Sequence, residues 1–235
     1  MIILAIECAT RSASIALLND DKVIGELYFG AGRHHAEILI PGIENLFSLT
    51  GMTIDDADLL ACTKGPGSFT GVRIGISTIK GLALAVAKPI VGVSTLKVLA
   101  MNLSCSRNLV CTLLDAQKNQ VYSGLYRIGA NGLPEPAADD RLNDIETVIG
   151  ELPKEHIDFI GDGALRYQDK ILEGISSATI LNNERTNNPS ASALGLIAFE
   201  HYKRGLIDNP LTLAPVYLRL SEAELKKSLA RQGLT

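Results

Sequence analysis

The chain has 235 residues, 46% apolar and 20% charged, with a net charge of −4. That length accommodates one large domain or two small ones, either able to bury a core. An acidic chain in which no stretch concentrates Lys and Arg beside aromatics is poorly equipped to hold a polynucleotide by itself.

Residues 1–6 form an apolar run fit for a central strand, without the basic start or cleavage-type ending of a signal peptide. Residues 14–19 and 22–29 follow as two more strands, joined by Asn19-Asp20-Asp21 into a meander. A helical pattern opens at His34 or His35, carries Leu39, Ile43, Leu46 and Phe47 on one face, and stops at Gly51. Pro41 should kink that helix or mark its first turn. Residues 58–62 read as the next strand.

The stretch KGPGSFTGVRIG, 64–75, follows that strand directly. Gly65 and Gly67 permit backbone angles that a Cβ forbids, and Ser68 or Thr70 can cap the coming helix. Free N–H groups and a helix dipole at such a turn suit an anion. The other reading is a crossover turn that needs glycine only for close packing, and spacing alone leaves both open. A helix is expected over 71–87, ended by Pro89, then a strand over 90–92 and a helix capped by Ser94.

The pattern then restarts. Residues 109–115 are an apolar run ending on a carboxylate, as 1–7 are, and 120–126 supply the next strand. A Gly-, Pro- and Asp-rich stretch, 129–140, reads as a loop. A helix over 145–152 follows, then a strand over 157–163 that runs into glycines, echoing the first glycine turn. Two copies of a βββαβα unit are the inference: an N-terminal domain over 1–105, a C-terminal domain over 106–220, and a charged tail over 221–235. A helical stripe occupies 190–204, an extended segment 214–219, and Ser221 to Glu224 spell a capping box.

Apart from Arg73 and Lys80, the helix over 71–87 is apolar or small all round, so it must be covered on two sides. Gly71 and Gly75, then Ser77, Gly81 and Ala85, present rows of small residues that admit a close helix. We expect a partner there, met by Arg73, Ile74, Thr78, Leu82 and Ala85 as well as the two glycines. His35, Glu37, Ile38 and Leu39 of the preceding helix are expected to join this surface. No 20-residue apolar span is free of charge, so no membrane role is expected. Cys8, Cys62, Cys105 and Cys111 show no zinc spacing and suit thiols in a reducing cytoplasm.

The segments ILAIE-x-AT, HHAE-x-LIP-x-I, GPGSFTGVRIG, KGLALA, VGVSTL and PVYLR fall along most of the chain. Together they resemble the bacterial tRNA threonylcarbamoyladenosine biosynthesis protein family TsaB, also called YeaZ. The resemblance implies an α/β chain of two duplicated domains with the actin-like ATPase, or ribonuclease H-like, fold. It also implies a non-catalytic partner of a TsaD-type subunit, which transfers a threonylcarbamoyl group to the adenosine beside the anticodon of tRNAs reading ANN codons. A TsaE-type ATPase completes that assembly, and tRNA is held by the complex. No cofactor is then expected on this chain alone, with ATP or ADP at the shared interface. Glu7, Thr10, Gly65, Gly67, Ser68 and Thr70 are the nucleotide-proximal candidates.

One residue departs from the family pattern: Glu7 stands where Asp usually ends the first strand. The paired histidines of the catalytic homologues are also incomplete, since His35 has Leu39 one turn on. Three rivals to the TsaD-partner reading are a free-standing ATPase or phosphotransferase, a metallopeptidase-like protein, and a homodimer through the same helices.

Overall fold

Strands Ile2–Glu7 (β1), Ala13–Asn19 (β2) and Lys22–Phe29 (β3) open the chain, followed by helix His35–Thr50 (α1). The computed structural model describes residues 1–30 and 35–219; His34 and the tail from 221 lie outside the described residues. Leu59–Thr63 (β4), Phe69–Val86 (α2), Ile90–Val93 (β5) and Thr95–Ala100 (α3) complete the first half. The second half runs through Leu109–Asp115 (β6), Gln120–Ile128 (β7), Pro134–Asp144 (β8), Ile145–Glu151 (α4) and Ile157–Ile160 (β9). It ends with Asp162–Arg166 (α5), Gln168–Gly174 (α6), Ala178–Ile180 (β10) and Ala191–Lys203 (α7).

The two sheets have one topology: β3-β2-β1-β4-β5 in the first and β8-β7-β6-β9-β10 in the second. In each, an antiparallel meander is joined to two parallel strands that need helical crossovers. The duplication is therefore structural. One expectation fails: residues 134–144 are a strand and not part of a loop. Among the described residues β8 pairs only with β7. Pro134 and Pro136 are tolerated on such an edge, and the acidic face is solvated.

The coverings of the sheets cross between the halves. α1 and α2 pack on one face of the first sheet, with Leu39, Ile43, Leu46, Val72, Ile76 and Ile79 buried against β1, β2 and β4. The opposite face is covered by α7, whose Leu194 and Ile197 meet Ile3, Ala5 and Val91. In exchange, α3 leaves the first sheet and buries Leu96 and Leu99 against Val110, Leu114 and Tyr126 of the second. A division at residue 105 separates the strands but not the packing. By length and composition alone α2 is apolar enough to cross a membrane, although Arg73 and Lys80 interrupt it. In the fold it lies on β4 and buries one side.

Candidate functional site

The glycine turn joins β4 to α2 beneath the turn that follows β1. A Cβ on Gly67 would lie 2.2 Å from the Ala9 carbonyl oxygen, and one on Gly65 would lie 2.8 Å from that of Val216. The Ser68 N–H donates to Ala9 O at 2.6 Å, and Ser68 Oγ caps α2 by accepting from Gly71 N at 3.2 Å. Two donors of the turn are thus spent on the chain itself. Close packing is what these glycines permit, the plainer of the two sequence readings. Thr10 turns its hydroxyl to Ser12, while its carbonyl accepts from His35 Nε2 at 2.9 Å. A carbonyl only accepts, so Nε2 carries the proton. Thr70 is exposed on the first turn of α2.

Glu7 ends β1 and is fully buried. Its Oε1 accepts from Ala9 N at 2.7 Å, while Oε2 has no partner among the described residues. Burial pushes the carboxyl up to about 8, so it is protonated at neutral pH. A neutral acid of this kind is a poor ligand for a metal–phosphate. Asp115, its counterpart at the end of β6, accepts from Gln117 N at 3.0 Å and from Arg166 at 2.6 Å. Asp162 accepts from Asp115 N at 2.9 Å, and burial foremost raises its pKa.

Between these two turns lies a cavity of 940 Å3, lined from the first half by Thr10, Arg11, Gly67, Ser68 and Phe69. Asp115, Lys118, Tyr122 and Asp162 line it from the second half. Of the nucleotide-proximal candidates, Glu7, Gly65 and Thr70 are not in this lining. Sequence reasoning missed the third wall, the strap after α7. Asp208 N donates to Ile90 O at the open edge of β5, and Lys80 Nζ then donates to the Leu211 and Leu213 carbonyls. Val216 N donates to Lys64 O at 2.7 Å. Tyr217 stacks on Phe69 with centroids 4.9 Å apart, and the Arg73 guanidinium sits 3.8 Å from the Phe69 centroid. Arg219 then donates to Gln120 across the cleft. The available signal was PVYLR, 215–219, part of the family resemblance.

The expected partner surface divides in two. Leu39, Gly71 and Gly75 are buried inside this chain, which corrects their placement on a docking face. A Cβ on Gly71 would meet Cys8 O at 2.1 Å, and one on Gly75 Cys8 Sγ at 2.8 Å. Their small size serves the packing of α2 on β1. His35, Ile38, Ile74, Thr78 and Leu82 are half-buried, and Glu37, Arg73 and Ala85 are exposed, with Arg73 held by Tyr217 Oη at 2.6 Å. The second small row is open: Ser77, Gly81 and Ala85 face out, a Cβ on Gly81 would meet nothing within 4 Å, and Leu84 beside them is 57% exposed. The sequence reading left Leu84 out of the surface.

The chain matches the family model described as TsaD, tRNA N6-adenosine threonylcarbamoyltransferase, over residues 29–227. It is 33% identical over 229 residues to the tRNA threonylcarbamoyladenosine biosynthesis protein TsaB of Bacillus subtilis, covering 96% of this chain and 97% of that one. The Escherichia coli protein of the same name is 32% identical, over 93% of this chain and 95% of its own length. Among solved structures, YeaZ from Pseudomonas aeruginosa superposes with a TM-score of 0.80 at 28% identity, covering 92% of this chain and 99% of that one.

Proposed function

The chain belongs to the TsaB (YeaZ) branch of the TsaD-like family, and from that premise we propose that its part in tRNA threonylcarbamoyladenosine biosynthesis is that of a non-catalytic subunit. It docks through the outer row of α2 on a TsaD-type catalytic chain, with a TsaE-type ATPase completing the assembly and tRNA held by the whole. ATP or ADP belongs at the shared interface, and the assembly works in the cytoplasm.

The observation that carries this reading is Leu84, 57% exposed beside Ser77, Gly81 and Ala85, where no element of this chain covers it among the described residues. Small residues there let a second helix approach closely, and Leu84 supplies apolar area to bury. Phosphoryl transfer by this chain alone finds less support. It needs ionised carboxylates and a phosphate cradle, whereas Glu7 is buried and neutral and the turn donors of Ser68 and Gly71 are taken. The same open row also suits an isologous contact with a second copy, exchanged for the catalytic chain on assembly.

The test is Leu84→Asp with Ala85→Glu as a second variant, both at exposed positions. Each should leave the monomer folded while abolishing co-purification with a TsaD-type subunit and lowering threonylcarbamoyl transfer at least tenfold. Unchanged complex and transfer overturn the proposal, as does sustained ATP turnover by the purified chain alone. A Gly75 substitution cannot serve, because its Cβ strikes Cys8 Sγ.

A further inference from the structure

Three of the chain's five Phe and six Tyr, namely Phe69, Tyr122 and Tyr217, line the cleft of 940 Å3 between the halves. Phe69 and Tyr217 are 42% and 41% exposed although stacked on each other with the Arg73 guanidinium against Phe69, so the remaining ring surface is accessible. Arg11, Lys118 and Arg219 line the same space. Arg11 and Lys118 are exposed and form no ion pair with another described residue. Of the acidic groups of the lining, Asp115 is paired with Arg166 at 2.6 Å, and Asp162, which accepts the neutral Asp115 N–H, is the one carboxylate there without an ion pair among the described residues, against three cations. The cleft therefore presents aromatic faces and positive charge.

Lys118 is delivered there by an unusual turn. Gln117, Lys118 and Asn119 all adopt left-handed backbone angles, with φ of 60, 52 and 62°, at the β6–β7 hairpin. No glycine relieves them, and held strain of this kind clusters at functional positions. The turn is fixed by Gln117 N to Asp115 Oδ1 and by Gln120 N to Gln117 O, both at 3.0 Å.

Rings for stacking and cations on long stems, without a rigid phosphate cradle, are the equipment of single-strand nucleic-acid binding. A magnesium nucleotide asks for other things: an ionised carboxylate with free oxygens and backbone donors aimed at phosphates. Glu7 is neutral and outside the lining, both Asp115 oxygens are engaged, and Ser68 N and Gly71 N point into the chain.

We infer that the cleft of this chain binds a short single-stranded RNA segment, a base stacking on Phe69 and Tyr217 and phosphates meeting Arg11, Lys118 and Arg219. This goes beyond the docking role, and it rests on the assignment to tRNA modification only for the choice of RNA. The Arg219–Gln120 bond across the cleft leaves the other guanidinium donors for a phosphate.

The experiment is fluorescence anisotropy of a 5′-labelled ten-nucleotide unstructured RNA with the full chain and no partner protein. Saturable binding is expected. Three phosphate contacts give log K against log salt a slope of about −2, and Arg11→Gln or Lys118→Gln each flattens it by about 0.7. Tyr217→Ala and Phe69→Ala each weaken binding at least tenfold, and Tyr217→Phe, which keeps the ring, restores most of it. Leu84→Asp leaves RNA binding unchanged, so this inference and the docking proposal fail separately. Absence of binding at low salt overturns the inference. Binding indifferent to the Arg11 and Lys118 variants overturns it too, as does a duplex or free AMP that binds as tightly as the single strand.

Discussion

At the end of β1, Glu7 accepts the N–H two residues on; at the end of β6, Asp115 does the same. The glycines opposite are built alike as well. A Cβ on Gly67 would strike Ala9 O at 2.2 Å, and one on Gly161 would strike Leu113 O at 2.1 Å. What differs is the surroundings. Glu7 is sealed in the interior with one oxygen unpartnered among the described residues, whereas Asp115 stands at the cleft with Arg166 on it. One backbone construction thus carries a neutral acid in one half and a paired carboxylate in the other, because the covering elements decide the charge and the turn does not.

The largest expected break in this symmetry is with pH. The folded pKa of Glu7, about 8, lies above its ordinary 4.5, so the folded chain keeps a proton that the unfolded chain releases. Stability therefore falls as pH rises between those values, by up to about 1.4 kcal/mol per unit. Glu7→Gln should remove this slope in thermal unfolding followed from pH 5 to 9; an identical slope in both proteins would mean Glu7 is ionised in the fold. Gly67→Ala and Gly161→Ala probe the shared part, and each should cost about 3 kcal/mol or more by chemical denaturation. If only one does, the two turns are not equivalent. Asp115→Asn should cost less than about 1 kcal/mol, since Arg166 is largely exposed. The smallest effect separates the two rows of α2. Gly81→Ala, in open space, should stabilise the isolated chain by about 0.5–1 kcal/mol, and Gly75→Ala should destabilise it.

Much of this architecture was legible from the chain because its elements are strongly periodic and punctuated. The first three strands, the Ser94 cap, Ser68 as one of two candidate caps and the carboxylate-ended strands were all visible in the sequence. β8 was not, because its prolines and acids mimic a loop and only the edge position permits them. α5, α6 and β10 are too short to show a period. The orientation of α2 was half legible: apolarity all round it signalled burial, which the structure shows on one side. Which glycine row faced inward depended on Cys8, 63 residues away from Gly71 in sequence. The strap was legible only as an extended stretch, since nothing local says that Tyr217 meets Phe69.

The crossing of α3 and α7 has a consequence for synthesis on the ribosome. Residues 2–93 contain every strand of the first sheet, but its second face stays bare until residues 191–203 have been made. Meanwhile Ile3, Ala5 and Val91 present a greasy plane without its lid, a state that favours aggregation or chaperone capture. A nascent chain stalled near residue 110 should accordingly bind a hydrophobic dye and digest readily, and one stalled well past 203 should do neither.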